Sequence, residues 1–190
     1  MPDLPWNQLV QPDQRSCGAA VLVVARMLGD PTYDAFVGGA GLLSQRFRDE
    51  VLAMHRRVTS LAAVSGRAQL PWPQAFGTPP WAVANQLSGT RAADGSLAAY
   101  ASHLARTSKA SSWDRLVAAA GRGRVSAVYI GSTWLPRHVV LVVDAAADGD
   151  LHVYDPAGGR LDTLGRDAYT GNRIGIAGWN QAWFDVTPAL

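Results

Sequence analysis

Residues 137–158 read Arg137-His-Val-Val-Leu-Val-Val143, then Asp144-Ala-Ala-Ala-Asp-Gly-Asp150, then Leu151-His-Val-Tyr-Asp155-Pro-Ala-Gly158. Two short β-branched and aromatic runs flank a connector rich in Asp, with one Gly, which is the pattern of a β-hairpin. Pro156 ends the second run because it has no N–H to give to a ladder. Similar runs at Val125–Ile130, Ile174–Ala177 and Ala182–Val186 predict further strands. Upstream the pattern is helical. Cys17–Leu28 is small and apolar, and Gly29-Asp30-Pro31 supplies stop signals after it. Ser44–Ala62 carries Phe47, Val51, Met54, Val58 and Leu61 at amphipathic helical spacing. Pro79-Pro80 opens a short helix through Ser88, closed by Gly89. Two more helices are predicted over Ser96–Arg106 and Ser112–Ala120, the second with Ser111-x-x-Asp114 as a capping box and Gly121 as its stop. Helices first and strands later predict an α+β fold, with N-terminal helices packed on one side of a C-terminal, mostly antiparallel sheet.

The chain has 190 residues, 48% of them hydrophobic and 17% charged, with a formal net charge of +2. That is one domain, residues 1–190, long enough to bury a core and too apolar for wholesale disorder. The basic residues are scattered arginines, Lys109 is the single lysine, and Arg56-Arg57 is the densest cluster. No phosphate-tracking stripe follows, which disfavours nucleic acid as a partner. The longest apolar run, Ala19–Leu28, contains Arg26 and is too short to span a bilayer. Neither a basic n-region nor a small-residue cleavage site flanks it, so cytoplasmic residence or export without a cleaved signal is expected. One cysteine, Cys17, excludes an intramolecular disulfide and thiolate-rich zinc sites. Neither metal nor cofactor is expected.

Cys17 stands at the predicted start of a helix, directly before Gly18. The positive end of the helix dipole favours a thiolate there, and Gly18 lets a substrate approach the sulfur. A free cysteine alone is more often a small buried apolar side chain. His138 opens the Val-rich strand and Asp155 closes the next one. An antiparallel hairpin centred between Ala146 and Ala147 sets His138 directly opposite Asp155, with β-carbons about 4.5–5.5 Å apart. An imidazole and a carboxylate so placed can hydrogen-bond, which fixes the tautomer and supports an imidazolium. The roles follow: Cys17 as nucleophile, His138 as acid and base, Asp155 as the residue that orients His138. The oxyanion needs donors, which the N–H of Cys17 and the side-chain amide of Gln11 can supply; Gln14 is the alternative glutamine.

Gln11-x5-Cys17-Gly18 with its small apolar helix, then His138-Val-Val-Leu, then Tyr154-Asp155-Pro156-x-Gly158, resembles a papain-like cysteine peptidase. It is most similar to the bacteriocin-leader-processing peptidase group and its stand-alone relatives, which share the order Gln, Cys, His, Asp and a short His-to-Asp interval. The resemblance covers residues 8–31 and 124–160. It implies the papain-like cysteine proteinase fold, a thiol mechanism and a glutamine oxyanion donor at Gln11. Ser16 departs from the acidic residue often found at that position in the group. The Pro- and Trp-rich middle, with Pro71-Trp72-Pro73 and Gly77-Thr78-Pro79-Pro80-Trp81, lies outside the resemblance. No transporter segment is evident after the catalytic region.

Several other features carry less. Trp134 lies on the loop before His138 and, with Trp81, is a candidate wall of the substrate groove; Trp72 is a weaker one. Trp179 and Trp183 read as core or groove-wall residues, and Asn180 is an outside alternative to Asp155. His55, His103 and His152 read as surface or half-buried. Opposite strand parity separates His152 from Asp155 and disfavours a metal site there. Gly38-Gly39-Ala40-Gly41 lacks the Lys-Ser/Thr of a phosphate loop, and Ser132 lacks a nucleophile elbow. The expected activity is cleavage of an amide bond in a peptide or protein substrate, by a cysteine peptidase or amidase. The alternatives are acyl transfer, including transglutamination, or glutamine deamidation by a toxin or effector, which an inhibitor or immunity protein would partner, or a catalytically degenerate binding domain.

Overall fold

The computed structural model describes residues 4–61 and 68–189, with backbone alone for Ala40. Ala62, where the amphipathic helix was expected to end, and the start of the Pro- and Trp-rich middle lie outside the described residues. The helices are α1 (Cys17–Gly29), α2 (Pro31–Gly38), α3 (Leu43–Thr59), α4 (Pro80–Ser88), α5 (Lys109–Ala120) and α6 (Arg166–Thr170). The strands are β1 (Tyr100–Leu104), β2 (Ser126–Gly131), β3 (Pro136–Ala145), β4 (Leu151–Asp155), β5 (Arg160–Leu164) and β6 (Gln181–Pro188). They form one sheet in the order β1-β6-β2-β3-β4-β5, every pair antiparallel. The fold class is α+β.

Helices cover both faces of this sheet rather than one. On one face α1, α3 and α4 pack with Tyr129, Val139, Leu141 and Val143. On the other, Trp113 and Leu116 of α5 and Tyr169 of α6 pack with Val128, Val140 and Val142. This explains the unbroken run Val139–Val143: a strand buried on both faces loses the polar alternation of a half-exposed one. Each such buried side chain contributes roughly 1.5–3 kcal/mol. Helix α1 is buried almost throughout. Asp30, read as part of a stop signal, also starts α2: its carboxylate accepts from the Thr32 and Tyr33 N–H groups, and Pro31 takes the first helical position.

Five expectations need correction. Ser96–Arg106 is not a helix; it contains β1, whose pairing with the edge of β6 overrides the helical preference of its alanines. Tyr100 anchors that strand by taking the Ser88 hydroxyl as acceptor for its N–H and donating its own hydroxyl to the Val125 carbonyl. Ile174–Ala177 is not a strand; it runs into a tight turn closed by a single bridge, Ile176 to Trp179. Helix α5 begins three residues early, at Lys109 after Ser108, so Ser111 lies inside it and Asp114 pairs with Arg166 at 2.8 Å. Helix α3 ends at Thr59, leaving Leu61 exposed, and His55 within it is buried. The short polar strand β5 and helices α2 and α6 carry weak periodicity and escaped the sequence reading.

Candidate active site

Cys17, His138 and Asp155 come from the start of α1, the third residue of β3 and the last residue of β4. They are 6%, 6% and 1% exposed. His138 Nε2 lies 2.7 Å from Asp155 Oδ1. The Cys17 side chain lies near enough to the same imidazole to favour its charged form. With Nε2 engaged by the carboxylate, Nδ1 is the nitrogen left to face the sulfur. The ring is therefore held between an acceptor on one side and the thiol on the other.

The contact forms in a different register from the one expected. The β3–β4 ladder pairs Ala145 with Leu151 and Asp144 with His152, then shifts by one at Val143 and pairs Val142 with Val153 and Leu141 with Tyr154. Continued, that register sets Val140, not His138, opposite Asp155. The difference arises in the turn, which centres on Asp148 rather than between Ala146 and Ala147; the β-bulge at Val143 takes back one residue of that displacement and brings His138 nearer to Asp155. His138 is a diagonal neighbour of Asp155, two residues further along the strand, and its long side chain spans the difference.

The segment before α1 is tied to the loop after β4. The Tyr154 hydroxyl donates to the Leu9 carbonyl at 2.5 Å, and the Gln11 N–H donates to the Pro156 carbonyl at 2.9 Å. Trp6 packs on the Tyr154 ring at 5.5 Å. Gly159 turns the chain under this segment: its φ is +57°, and a β-carbon there would fall 2.7 Å from the Trp6 carbonyl oxygen. These bonds fix Cys17 relative to Asp155 although 138 residues of chain separate them.

Burial disfavours the charged form of His138, but its hydrogen bond to Asp155, the nearby Cys17 side chain and the charges of both outweigh this. The imidazolium pKa rises from 6.5 to about 9. Burial likewise opposes charge on Asp155, and the hydrogen bond from His138, the Ala157 N–H at 3.0 Å and the His138 and Arg160 charges reverse it. The carboxyl is held below the usual range. Arg160 Nη2 lies 3.2 Å from Asp155 Oδ2, as an ion pair whose angle falls short of a hydrogen bond.

Cys17 and His138 line a cleft of about 570 Å³. One wall is the segment from Trp72 to Pro80; the other runs from Leu135 to Val139, with Tyr129 and Phe184 between. The Tyr129 phenol, pushed up by burial, keeps its proton and donates to the Thr78 carbonyl at 2.8 Å. Sequence reading missed Tyr129, Thr78, Phe76 and Phe184, which carry no motif. Only the Pro- and Gly-rich composition of 71–81 signalled a wall.

The other expected site residues divide. Gln14 lines the cleft. Gln11 does not; its amide nitrogen donates to the Asp13 carbonyl at 2.8 Å, and its side-chain oxygen is buried without a partner. Trp134 is 82% exposed at the tip of the turn after β2 and outside the cleft. The Ser132 hydroxyl accepts from the Trp134 and Leu135 N–H groups, which directs that indole to solvent. Trp81 stands behind Trp72, their rings edge to face at 5.2 Å, so Trp72 is the indole at the wall. Trp183 pins the same turn by donating to the Ser132 carbonyl. Asn180 accepts from the Gly175 N–H and takes no part. His152 pairs with Asp144 at 2.5 Å. Among the described residues, no group of three or more His, Cys, Asp or Glu side chains is placed to hold a metal ion.

Gly18 faces Thr78 rather than open cleft: a β-carbon there would lie 2.6 Å from Thr78 Cβ. Its role is to admit the wall, not the substrate. Gly18→Ala is expected to cost about 1–3 kcal/mol in urea denaturation, with Thr78→Gly recovering part of the loss.

No family model matches the chain, and no curated protein is significantly similar to it. Among the described residues, no helix is long and apolar enough to cross a membrane.

Proposed function

We propose that this chain is a papain-like cysteine hydrolase that cleaves an amide bond in a peptide or protein. The observation that carries this reading is the His138 ring, held by a buried carboxylate on one nitrogen and sharing a cleft with the one thiol of the chain, which acts on its charge. Cys17 Sγ attacks the carbonyl carbon as a thiolate. The Ser16 side chain makes no capping hydrogen bond, so the first-turn N–H groups of α1 are available to the oxyanion. The His138 imidazolium gives its proton to the leaving nitrogen, the C–N bond breaks and a thioester remains. Neutral His138 then takes a proton from water, whose oxygen attacks the thioester and releases the acid. Asp155 keeps the ring in place through both steps.

The second oxyanion donor is a glutamine. Removing such a donor lowers turnover about 10²–10³-fold. Gln11→Ala and Gln14→Ala, compared on one substrate, assign it: the large loss falls on the donor and a few-fold change on the other.

The test is a proteome-derived peptide mixture incubated with the protein and with Cys17→Ala, read by mass spectrometry. New termini made only by the native protein support hydrolysis. With an added primary amine, products that carry the amine mark acyl transfer, and a one-dalton gain at glutamine marks deamidation. Absence of any Cys17-dependent product contradicts the reading.

A further inference from the structure

Two arginines bracket the catalytic pair in sequence. Arg15 lies two residues before Cys17, Arg137 directly precedes His138, and both line the cleft. Among the described residues, no Asp or Glu lines it. Other arginines are engaged: Arg106 donates to the Thr133 carbonyl, Arg124 to the Ser96 carbonyl and Arg160 to Asp162. Among the described residues, neither Arg15 nor Arg137 has a guanidinium hydrogen bond or ion pair. The nearest carboxylate in sequence, Asp13, accepts the Arg15 backbone N–H at 2.8 Å and makes no ion pair with its side chain. The rest of the lining is dominated by large apolar groups: Trp72, Phe76, Leu135 and Phe184. Phe76 and Leu135 are exposed, so apolar area faces the open cleft.

A cleft with low-dielectric walls and charges of one sign focuses its field on a ligand of the opposite sign. Guanidinium groups are also the side chains best matched to carboxylates, through paired N–H donors. Resting on the hydrolase reading, we infer that the substrate is a peptide segment presenting a carboxylate next to a large apolar residue at the bond that is cut. The apolar side chain seats against Trp72, Phe76 and Phe184, and the carboxylate meets Arg15 and Arg137 at the rim. The carboxylate comes from an Asp or Glu side chain or from the end of the substrate chain.

The first test needs no substrate. Iodoacetate and iodoacetamide are near-isosteric and both alkylate the single thiol, but only the first is anionic. The His138 imidazolium attracts the anion as well, so the readout is the change on Arg15→Gln, Arg137→Gln double substitution. At low salt, the iodoacetate-to-iodoacetamide rate ratio is expected to fall about tenfold in that variant, and to fall in the native protein as salt is raised. Arg122→Gln, in the exposed turn after α5, serves as the charge control and should leave the ratio in place. An unchanged ratio in the double variant, with both reagents still fast, overturns the inference and leaves the hydrolase reading standing. Slow alkylation by both reagents, insensitive to His138→Ala, overturns both together. The second test uses matched phenylalanine-containing peptides: one with internal Glu and an amidated end, one with Gln and a free carboxylate, one with Gln and an amidated end. The inference predicts that the first or second exceeds the third in kcat/KM about tenfold, the winner naming the carboxylate's source, and that Arg15→Gln, Arg137→Gln removes the advantage. Equal rates on all three contradict it.

Discussion

Alanine at position 138 should slow the alkylation of Cys17 by iodoacetamide about 10²-fold at pH 6.5. The imidazolium of His138 is the positive group beside the thiol, and its pKa of about 9 keeps it charged at that pH. Remove it and the thiolate, whose side chain is almost buried at the base of the cleft, loses its counter-charge. The measurement is clean because the chain has one cysteine, so each mass increment on the intact protein reports Cys17 alone. His103→Ala, on the edge strand β1, is the control and should leave the rate unchanged within a factor of two. An equal rate in native protein and His138→Ala would separate the thiol from the imidazole and remove the mechanism.

Arg115→Ala is expected to cost about 3–5 kcal/mol of stability. Asp185 lies in β6 with no exposed surface, and Arg115 reaches it from α5 with Nε at 3.1 Å and Nη2 at 2.6 Å. The Thr187 hydroxyl adds a bond at 3.4 Å. Without the guanidinium the carboxylate stays buried and uncompensated, which is the costly arrangement; replacing both partners by apolar groups is not. Arg115→Met with Asp185→Leu should therefore recover most of the loss. Urea titration would show a lower midpoint with an unchanged slope in the single variant. A loss under about 1 kcal/mol would mean that water reaches Asp185 and relieves it. Cys17 alkylation below the transition should stay native, because this pair lies away from the cleft.

The hairpin around Gly149 was legible because Val-rich runs and a turn-rich connector speak for themselves. The start of α1 at Cys17 was legible from the small apolar run behind it and the stop at Gly29. The meeting of His138 with Asp155 was legible only in outline. The alanines after Asp144 do not mark where the turn centres, and it lies at Asp148, so the register moved, the bulge at Val143 recovered one residue, and the contact survived through side-chain length. Ser96–Arg106 misled because local propensity favours helix, whereas the free edge of β6 decides. Trp134 misled because proximity along the chain says nothing of direction, which the Ser132 turn sets. Thr78 and Tyr129 were invisible, since their roles exist only once the 77–80 segment crosses Gly18.

The central claim is that thiol, imidazole and carboxylate form one electrostatic unit. Because the folded pKa of His138 is raised, the ring's contribution to stability is full below about 6.5 and is lost as pH climbs through about 9. NMR of the protein labelled in its four histidine rings reads that proton directly. The account predicts that His138 stays protonated through pH 8, titrates near 9, and shifts down in both Cys17→Ala and Asp155→Asn. A His138 ring that titrates near 6.5 and does not respond to Cys17→Ala would contradict it.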